Sequence, residues 1–528
     1  MKARSALWLF MVMAAPTASA QLGSTNVAPW SPLAPRADLP RTLPNAGADA
    51  WSLWFAPLSP GIFAGAGNPA GLAWETPGSR SEYSISRRNQ TGRFHRPFDP
   101  ERATTSEISA SSYKTLPPSG NVLGEVVAAN ERYSPGPRSD GSPFGSSPFV
   151  LADTAAAAMT ATRARLAGAG GWRIGSWGAG IAAGYDASDL HSDETGFVRR
   201  GRFSMSGLTL GAARQLAAPL PLVVGAHAGV CRNAESVGVT ARDAPGQLFD
   251  IQGYREAPRV DVPLAQFYSH RLDARSAFGG AQLAASVRGA DVVLGAELSR
   301  RADATSHEQR AGAPVDRWSA HGASYHVMAA RSFAALGQLR VAAHSTNVSG
   351  AATAAGDSAA TFRARERSSA AVVELRSQVS PSVRTLATIT MIDERRERRD
   401  SIAQAVTNLH ARYPVIGFAM GVKLSERGEL LVGLTATWYR SAGTIPLRVE
   451  SLSYDRFLEP EIALYATSMQ STAAQGGLRW RLGNQAFVSV LAQRTTLLRD
   501  GFPQFPDVLP TGARAAAELR AQITTHPK

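Results

Sequence analysis

Cysteine, lysine and long apolar runs are nearly missing from this chain, and each shortage excludes something. One cysteine in 528 residues, Cys231, rules out an internal disulfide framework, and without a Cys-x-x-Cys pair or Cys/His cluster there is no zinc ribbon. Charged residues make up only 18% of the chain, against roughly 25% in ordinary soluble domains. Lys2, Lys114, Lys423 and Lys528 are the only lysines, so arginine carries nearly all of the formal net charge of +13. Those arginines are scattered, and the densest run, Asp393 to Asp400 (DERRERRD), is neutralised from within by Asp393, Glu394, Glu397 and Asp400. A nucleic-acid binder gathers basic residues on one face or helix, so the pattern speaks against nucleic acid as a partner. Beyond the first twenty residues no stretch nears the ~18 consecutive apolar residues of a transmembrane helix. If the mature chain enters a membrane, it must do so as strands.

Catalytic signatures are missing too: there is no G-x-S-x-G, no H-E-x-x-H and no P-loop. His321 and His326 differ in parity and point to opposite faces of one strand, so they cannot share a ligand. His326 and His344 fall on one inferred face of consecutive strands, where polar fillers are commoner than a site. Gly178, Gly180 and Gly184 sit on a strand rather than before a helix, and so make room for a bulky neighbour instead of cradling phosphate. The expectation is a non-enzyme with no cofactor and no metal.

What is present begins with an export signal. Lys2 and Arg4 precede an apolar run from Ala6 to Ala15, then Pro16 and the small tripeptide Ala18, Ser19, Ala20, which reads as a signal peptide over residues 1–20. Residues 21–75 are rich in Pro, Ala and Trp without periodicity, and form a candidate lumen plug. From residue 76 to 528 the period is two. Trp177, Ala179, Ile181, Ala183 and Tyr185 share one face, and Gly178, Gly180, Ala182, Gly184 and Asp186 the other. Hairpins repeat the pattern: Leu283, Ala285 and Val287 turn at Gly289 and return through Val292, Leu294 and Ala296.

Strands of about ten residues, joined by connections that alternate short and long, predict an all-β chain: a single transmembrane antiparallel β-barrel of 14–18 strands, best counted as 18. The long connections fall near 187–201, 302–318 and 394–414, among others. An even strand count with a short turn before every long loop puts both termini in the periplasm of a Gram-negative-type cell. Trp177, Tyr185, Tyr325, Phe418, Trp438 and Trp480 are expected outside, as interfacial girdle residues. Arg288, Glu297, Arg340, Glu374, Arg376, Arg479 and Arg481 are expected inside, where a basic lumen would favour anions. The partners this predicts are outer-membrane lipids and lipopolysaccharide, the barrel-assembly machinery, and an unidentified solute that is small or hydrophobic. Passive channel or transporter is the first functional expectation; a structural or adaptor barrel that binds a partner through its loops is the alternative.

Two resemblances accompany this reading. Phe63 to Ala73 contains Asn68, Pro69 and Ala70 and resembles the Asn-Pro-Ala segment of the long-chain fatty-acid outer-membrane channel family. In that family the N-terminal segment forms a hatch inside the barrel, which implies a similar place for the irregular stretch here. The whole chain resembles a family of uncharacterised bacterial outer-membrane β-barrels of about 500 residues, through Asn68–Ala70, the run Pro148 to Thr154, and Phe267 and Tyr268 ahead of Phe278, Gly279 and Gly280. That likeness implies the fold and no activity.

Overall fold

The computed structural model describes residues 67–74, 78–93, 100–134, 149–153, 158–192, 197–216, 222–241, 246–254, 259–262, 267–307, 316–333, 337–354, 357–445, 454–500 and 512–525. The signal peptide expected over 1–20 and most of the 21–75 segment lie outside the described residues. The first strands are β1 (Ser79–Gly92), β2 (Arg102–Leu116), β3 (Gly120–Ser134), β4 (Phe149–Asp153), β5 (Met159–Ile174), β6 (Trp177–Ser192) and β7 (Phe197–Leu216). Next come β8 (Leu222–Ala241), β9 (Gly246–Gln252), β10 (Arg259–Val262), β11 (Phe267–Val287), β12 (Ala290–His307), β13 (Asp316–Phe333) and β14 (Gly337–Thr353). The last are β15 (Phe362–Ser380), β16 (Val383–Asp400), β17 (Ala405–Lys423), β18 (Gly428–Thr444), β19 (Met469–Arg481), β20 (Ala486–Asp500) and β21 (Ala513–Thr525).

All but β4, β9 and β10 form one 18-stranded antiparallel sheet, which closes on itself where β1 pairs with β21 from Ser81↔Thr525 to Gly92↔Arg514. Closure leaves no unpaired edge, the condition for strands to sit in lipid where water cannot satisfy backbone groups. Each strand expected from the alternation corresponds to one barrel strand, and the ends of the barrel at Ser79 and Thr525 meet at the short-turn edge.

Side-chain parity sorts the wall. The outward rows carry Ile85, Leu166, Leu210, Leu298, Ile389 and Leu519, all more than half exposed, a surface that only lipid would cover. Trp177, Tyr185, Tyr325, Phe418 and Trp480 also face outward. On β12 the row Val292, Leu294, Ala296, Leu298 stays apolar until its first charge at Arg300, the lipid-facing pattern of an outer-membrane barrel. This is the architecture of an outer-membrane β-barrel.

Strand length departs from expectation. Barrel strands run from 13 residues in β19 and β21 to 21 in β11, not about ten. The loop expected over 394–414 is largely strand, because β16 extends to Asp400 and β17 starts at Ala405. Within DERRERRD, Glu394, Arg398 and Asp400 are buried inside while Arg395, Glu397 and Arg399 are exposed outside. Both faces are polar above the lipid, so hydropathy alternation fades although the strand continues.

The long-loop half of the barrel is filled. Strands β4, β9 and β10 pair as a separate three-stranded sheet. Leu151 and Leu248 of this sheet pack against the inward side chains Met159, Leu190, Phe203, Val237 and Tyr268. Phe249 and Ile251 pack on the other side in a cluster with Trp318, Phe362, Tyr413 and Tyr439, which Phe149 also joins. The connection after β18 adds a π-turn (Tyr454–Leu458) and a helix, α1 (Glu459–Ala466), whose Ile462 and Leu464 join the second cluster. Because every wall residue in these clusters has inward parity, the cap lies inside the lumen.

Candidate functional site

The candidate site is the lumen, into which two different pieces of chain pack. At the short-turn end a 3-10 turn, Pro69–Trp74, presses against the inner wall of β3 and β5 to β8. The wall there is stripped of side chains: a Cβ on Gly180 would collide with the backbone of Pro69 and Ala70, on Gly171 with Pro69 and Leu72, and on Gly178 with Trp74. Gly211 and Gly225 likewise leave room for the Asn68 amide. That amide is fully buried and donates to the carbonyls of Ala212 and Ala226, each at 3.2 Å, while its oxygen accepts from Ala70 N–H at 3.0 Å. Asn121 on β3 completes the lock by donating to the Leu72 carbonyl at 2.8 Å. Asparagine suits this position because one short side chain can donate twice and accept once. Asn68, Pro69 and Ala70 are thus a lumen element in the structure.

At the other end the cap is latched by side chains. Asp400, at the top of β16, accepts from Tyr254 N–H at 3.0 Å and from the backbone N–H groups of Ile402 and Ala403. Gly253 has a φ of 71°, and a Cβ there would press on Asp400 and Phe362, so the turn before Tyr254 needs glycine for both reasons. The Tyr254 hydroxyl donates to Thr407 at 2.6 Å, and its ring meets Phe362 and Tyr454 edge-on. Burial pushes the Tyr254 phenol up to about 12, against the opposing pull of Arg398 and the Thr407 hydrogen bond. Tyr439 donates to the Tyr465 carbonyl at 2.8 Å, and the Arg396 guanidinium lies 4.0 Å above the Tyr465 ring.

Between these two pieces the inner wall carries paired charges. Arg163 and Asp186 form a two-point bridge at 2.6 and 3.1 Å, Arg384 meets Glu429 at 2.6 Å, Arg398 meets Glu366 at 2.7 Å and Arg520 meets Glu518 at 2.9 Å. Of the residues expected inside, Glu297 pairs with His227 at 3.0 Å and Glu374 with Arg376 at 2.5 Å. Arg340 faces inward with its guanidinium 3.0 Å from the Met328 sulfur, and Arg479 lies 4.1 Å over the Phe487 ring. Arg481 sits at the lumen mouth and donates to the Asn484 carbonyl. Arg288 is different: it occupies the turn after β11 with a φ of 50° and is exposed, because the strand ends one residue earlier than its alternation suggests. Where these pairs sit the wall is balanced rather than basic, which removes the simple argument for anion preference. His326 registers directly opposite His344, and Gly295 and Gly280 clear space for the His326 and His227 rings. No group of three His, Cys, Asp or Glu among the described residues is arranged to hold a metal.

Sequence reasoning put Asp186 on the inner row but missed its partner Arg163, and it missed Arg384, Glu429, Glu366 and Arg398, although strand parity would have placed each there. It missed the cap altogether, since Phe149–Asp153 and Gly246–Gln252 look like loop until their partners are known.

The segment that locks into the wall and the barrel that holds it are spanned by one family match, residues 69–524. The chain belongs to the family of unknown function DUF6850. No curated protein matches it. Among solved structures this DUF6850 member is similar to the copper transporter OprC, at 10% identity and a TM-score of 0.45, covering 85% of this chain and 80% of that one. It is also similar to BauA, the ferric preacinetobactin receptor from Acinetobacter baumannii, at 10% identity and a TM-score of 0.43, with coverage of 85% and 80%. The ferric yersiniabactin uptake receptor FyuA from Yersinia pestis matches at 9% identity and a TM-score of 0.42, again over 85% and 80%. Likenesses this loose transfer neither ligand nor mechanism.

Proposed function

We propose that this DUF6850 barrel is an outer-membrane channel or transporter for a small or hydrophobic solute, closed at rest, with the internal cap as its moving part. The observation that carries the reading is a polar, charge-paired lumen with a discrete piece of the same chain packed inside it toward each end. In this reading residues 1–20 are removed on export, both termini face the periplasm, and the long loops face outward. Outer-membrane lipids, lipopolysaccharide and the assembly machinery are its surroundings, and neither catalysis, cofactor nor nucleic acid enters. The likeness of Asn68–Pro69–Ala70 to the fatty-acid channel segment favours a lumen element that responds to transport.

Planar-bilayer recording tests this. The native barrel should pass little steady current, and a variant in which residues 246–262 are replaced by a short Gly-Ser linker should conduct. Heat-modifiable mobility in SDS establishes that each protein is a folded barrel. A folded variant that stays silent favours the alternative of a structural or adaptor barrel acting through its loops. A native protein that fractionates as soluble and shows no heat shift ends the membrane reading.

A further inference from the structure

Charge that the lumen leaves unused collects on the outside. Just above the apolar band, outward arginines stand opposite one another across strands: Arg232 of β8 registers with Arg275 of β11, Arg367 of β15 with Arg395 of β16, and Arg412 of β17 with Arg440 of β18. Side chains so placed are only ~4.5–5.5 Å apart at Cβ, and like charges there repel. Carboxylates answer in part. Asp273 is shared by Arg232 at 2.9 Å and Arg275 at 3.1 Å, and Asp393 by Arg412 at 2.5 Å and Arg395 at 3.8 Å. The short-turn edge is arranged otherwise, with outward Arg214 and Arg331 each 4.9 Å over an aromatic ring, of Trp177 and Phe333.

One place on this collar is concave. A trough of about 580 Å³ opens on the wall formed by β7, β8, β11 and β12. It is recessed because Ser206, Ala277 and Ala302 are short, and Leu208 and Val230 stand at its apolar side. Arg232, Arg275 and Arg300 form its rim, and Arg300 has no ion-pair partner among the described residues. Three guanidinium groups against one carboxylate leave a net positive charge at the edge of the lipid band, above aliphatic side chains.

We propose that this trough docks the phosphorylated glycolipid of the outer leaflet. A phosphate spans Arg232, Arg275 and Arg300, whose planar forks match its oxygens, and the acyl chains follow Leu208 and Val230 down the band. An amphiphile fits both halves at once, whereas a free phosphate uses only the rim. The proposal rests on the membrane orientation given above.

The test incubates detergent-purified full-length protein with lipopolysaccharide, zwitterionic phospholipid or inorganic phosphate at equal phosphorus, and measures retained lipid by native mass spectrometry. Lipopolysaccharide should be retained, phospholipid should not, and inorganic phosphate should not displace it at equal phosphorus. At about fivefold per arginine, the R232S/R275S/R300S triple variant should lose roughly a hundredfold in affinity. R331S, at the opposite edge, should bind as the native protein does. Equal retention by the triple variant, or displacement by inorganic phosphate alone, overturns the docking site. Heat-modifiable mobility is measured on the same samples: intact mobility with no retention defeats this site only, while its loss in the native protein defeats the membrane reading.

Discussion

The two pieces of chain packed inside the lumen hold by different means. At the short-turn end, backbone lies on a wall cleared by Gly171, Gly178 and Gly180, and one buried asparagine ties it to strand carbonyls. At the long-loop end, large side chains such as Phe249, Trp318, Phe362 and Phe457 fill a core that happens to lie inside a barrel. At Gly180 the first fit sets backbone directly against backbone, so it is intolerant of added atoms there. The second depends on volume and is intolerant of lost atoms. One piece is held by shape, the other by burial.

The largest effect is expected at the cap. Phe249→Ala should remove about 3–5 kcal/mol of cap stability by leaving a cavity, seen as protease cleavage between residues 246 and 262 while the barrel keeps its heat-shifted mobility. A protease-resistant Phe249→Ala cap would erase the distinction between the two pieces. Next comes the opposite change at the plug. Gly180→Val should cost about 1–3 kcal/mol by overpacking and expose a reporter cysteine at position 70, in a Cys231→Ser background, to maleimide. Gly476→Val, where nothing lies within 4 Å of the added atom, is the control and should leave the reporter protected.

A smaller effect separates the two pieces by pH. The Tyr254 phenol titrates near 10 in an unfolded chain and at about 12 when buried in the cap. Its folded value is raised, so its contribution is complete below pH ~10 and is lost as pH climbs toward ~12. Protease sensitivity of the cap should therefore rise in that window while the plug reporter stays shielded. Tyr254→Phe should cost about 1 kcal/mol for the lost hydrogen bond and reduce this alkaline response, the remainder coming from the buried Tyr454, whose phenol is also raised by burial. Least of all, breaking the exposed Arg200–Asp189 bridge (2.7 Å) by Arg200→Gln should change unfolding by less than about 1 kcal/mol. A larger shift would mean that the strand extensions above the lipid are coupled to the cap.

Much of the wall was legible in advance. Alternation along Trp177–Ser192 or Leu222–Ala241 reports which side chains meet lipid, and each strand needs only its own residues to show it. Inward placement of Glu297, Glu374, Arg376 and Arg479 followed from the same parity. Arg288 escaped it because one residue past the strand end the period no longer applies. The strand extension at Glu394–Asp400 was misread as loop since polar residues on both faces erase the contrast that hydropathy needs. The cap stayed hidden because β4 pairs with β9 across about a hundred residues, from Phe149↔Gln252 to Asp153↔Leu248. Of the candidate plug only Gly67–Trp74 is described; its Asn-Pro-Ala segment lies against the inner wall, and its partners Gly211 and Asn121 carried no sign of this in the sequence.

Sequence alone determined the barrel, its eighteen strands and the inner and outer rows, because these depend on a two-residue period that lipid on one side and a lumen on the other impose locally. Tertiary structure alone decided which pieces of chain fold back inside the lumen, which charges pair, and where arginines face one another. Those outcomes depend on register between strands and on loops folding back inside, and contacts between residues far apart in the chain leave no period to read.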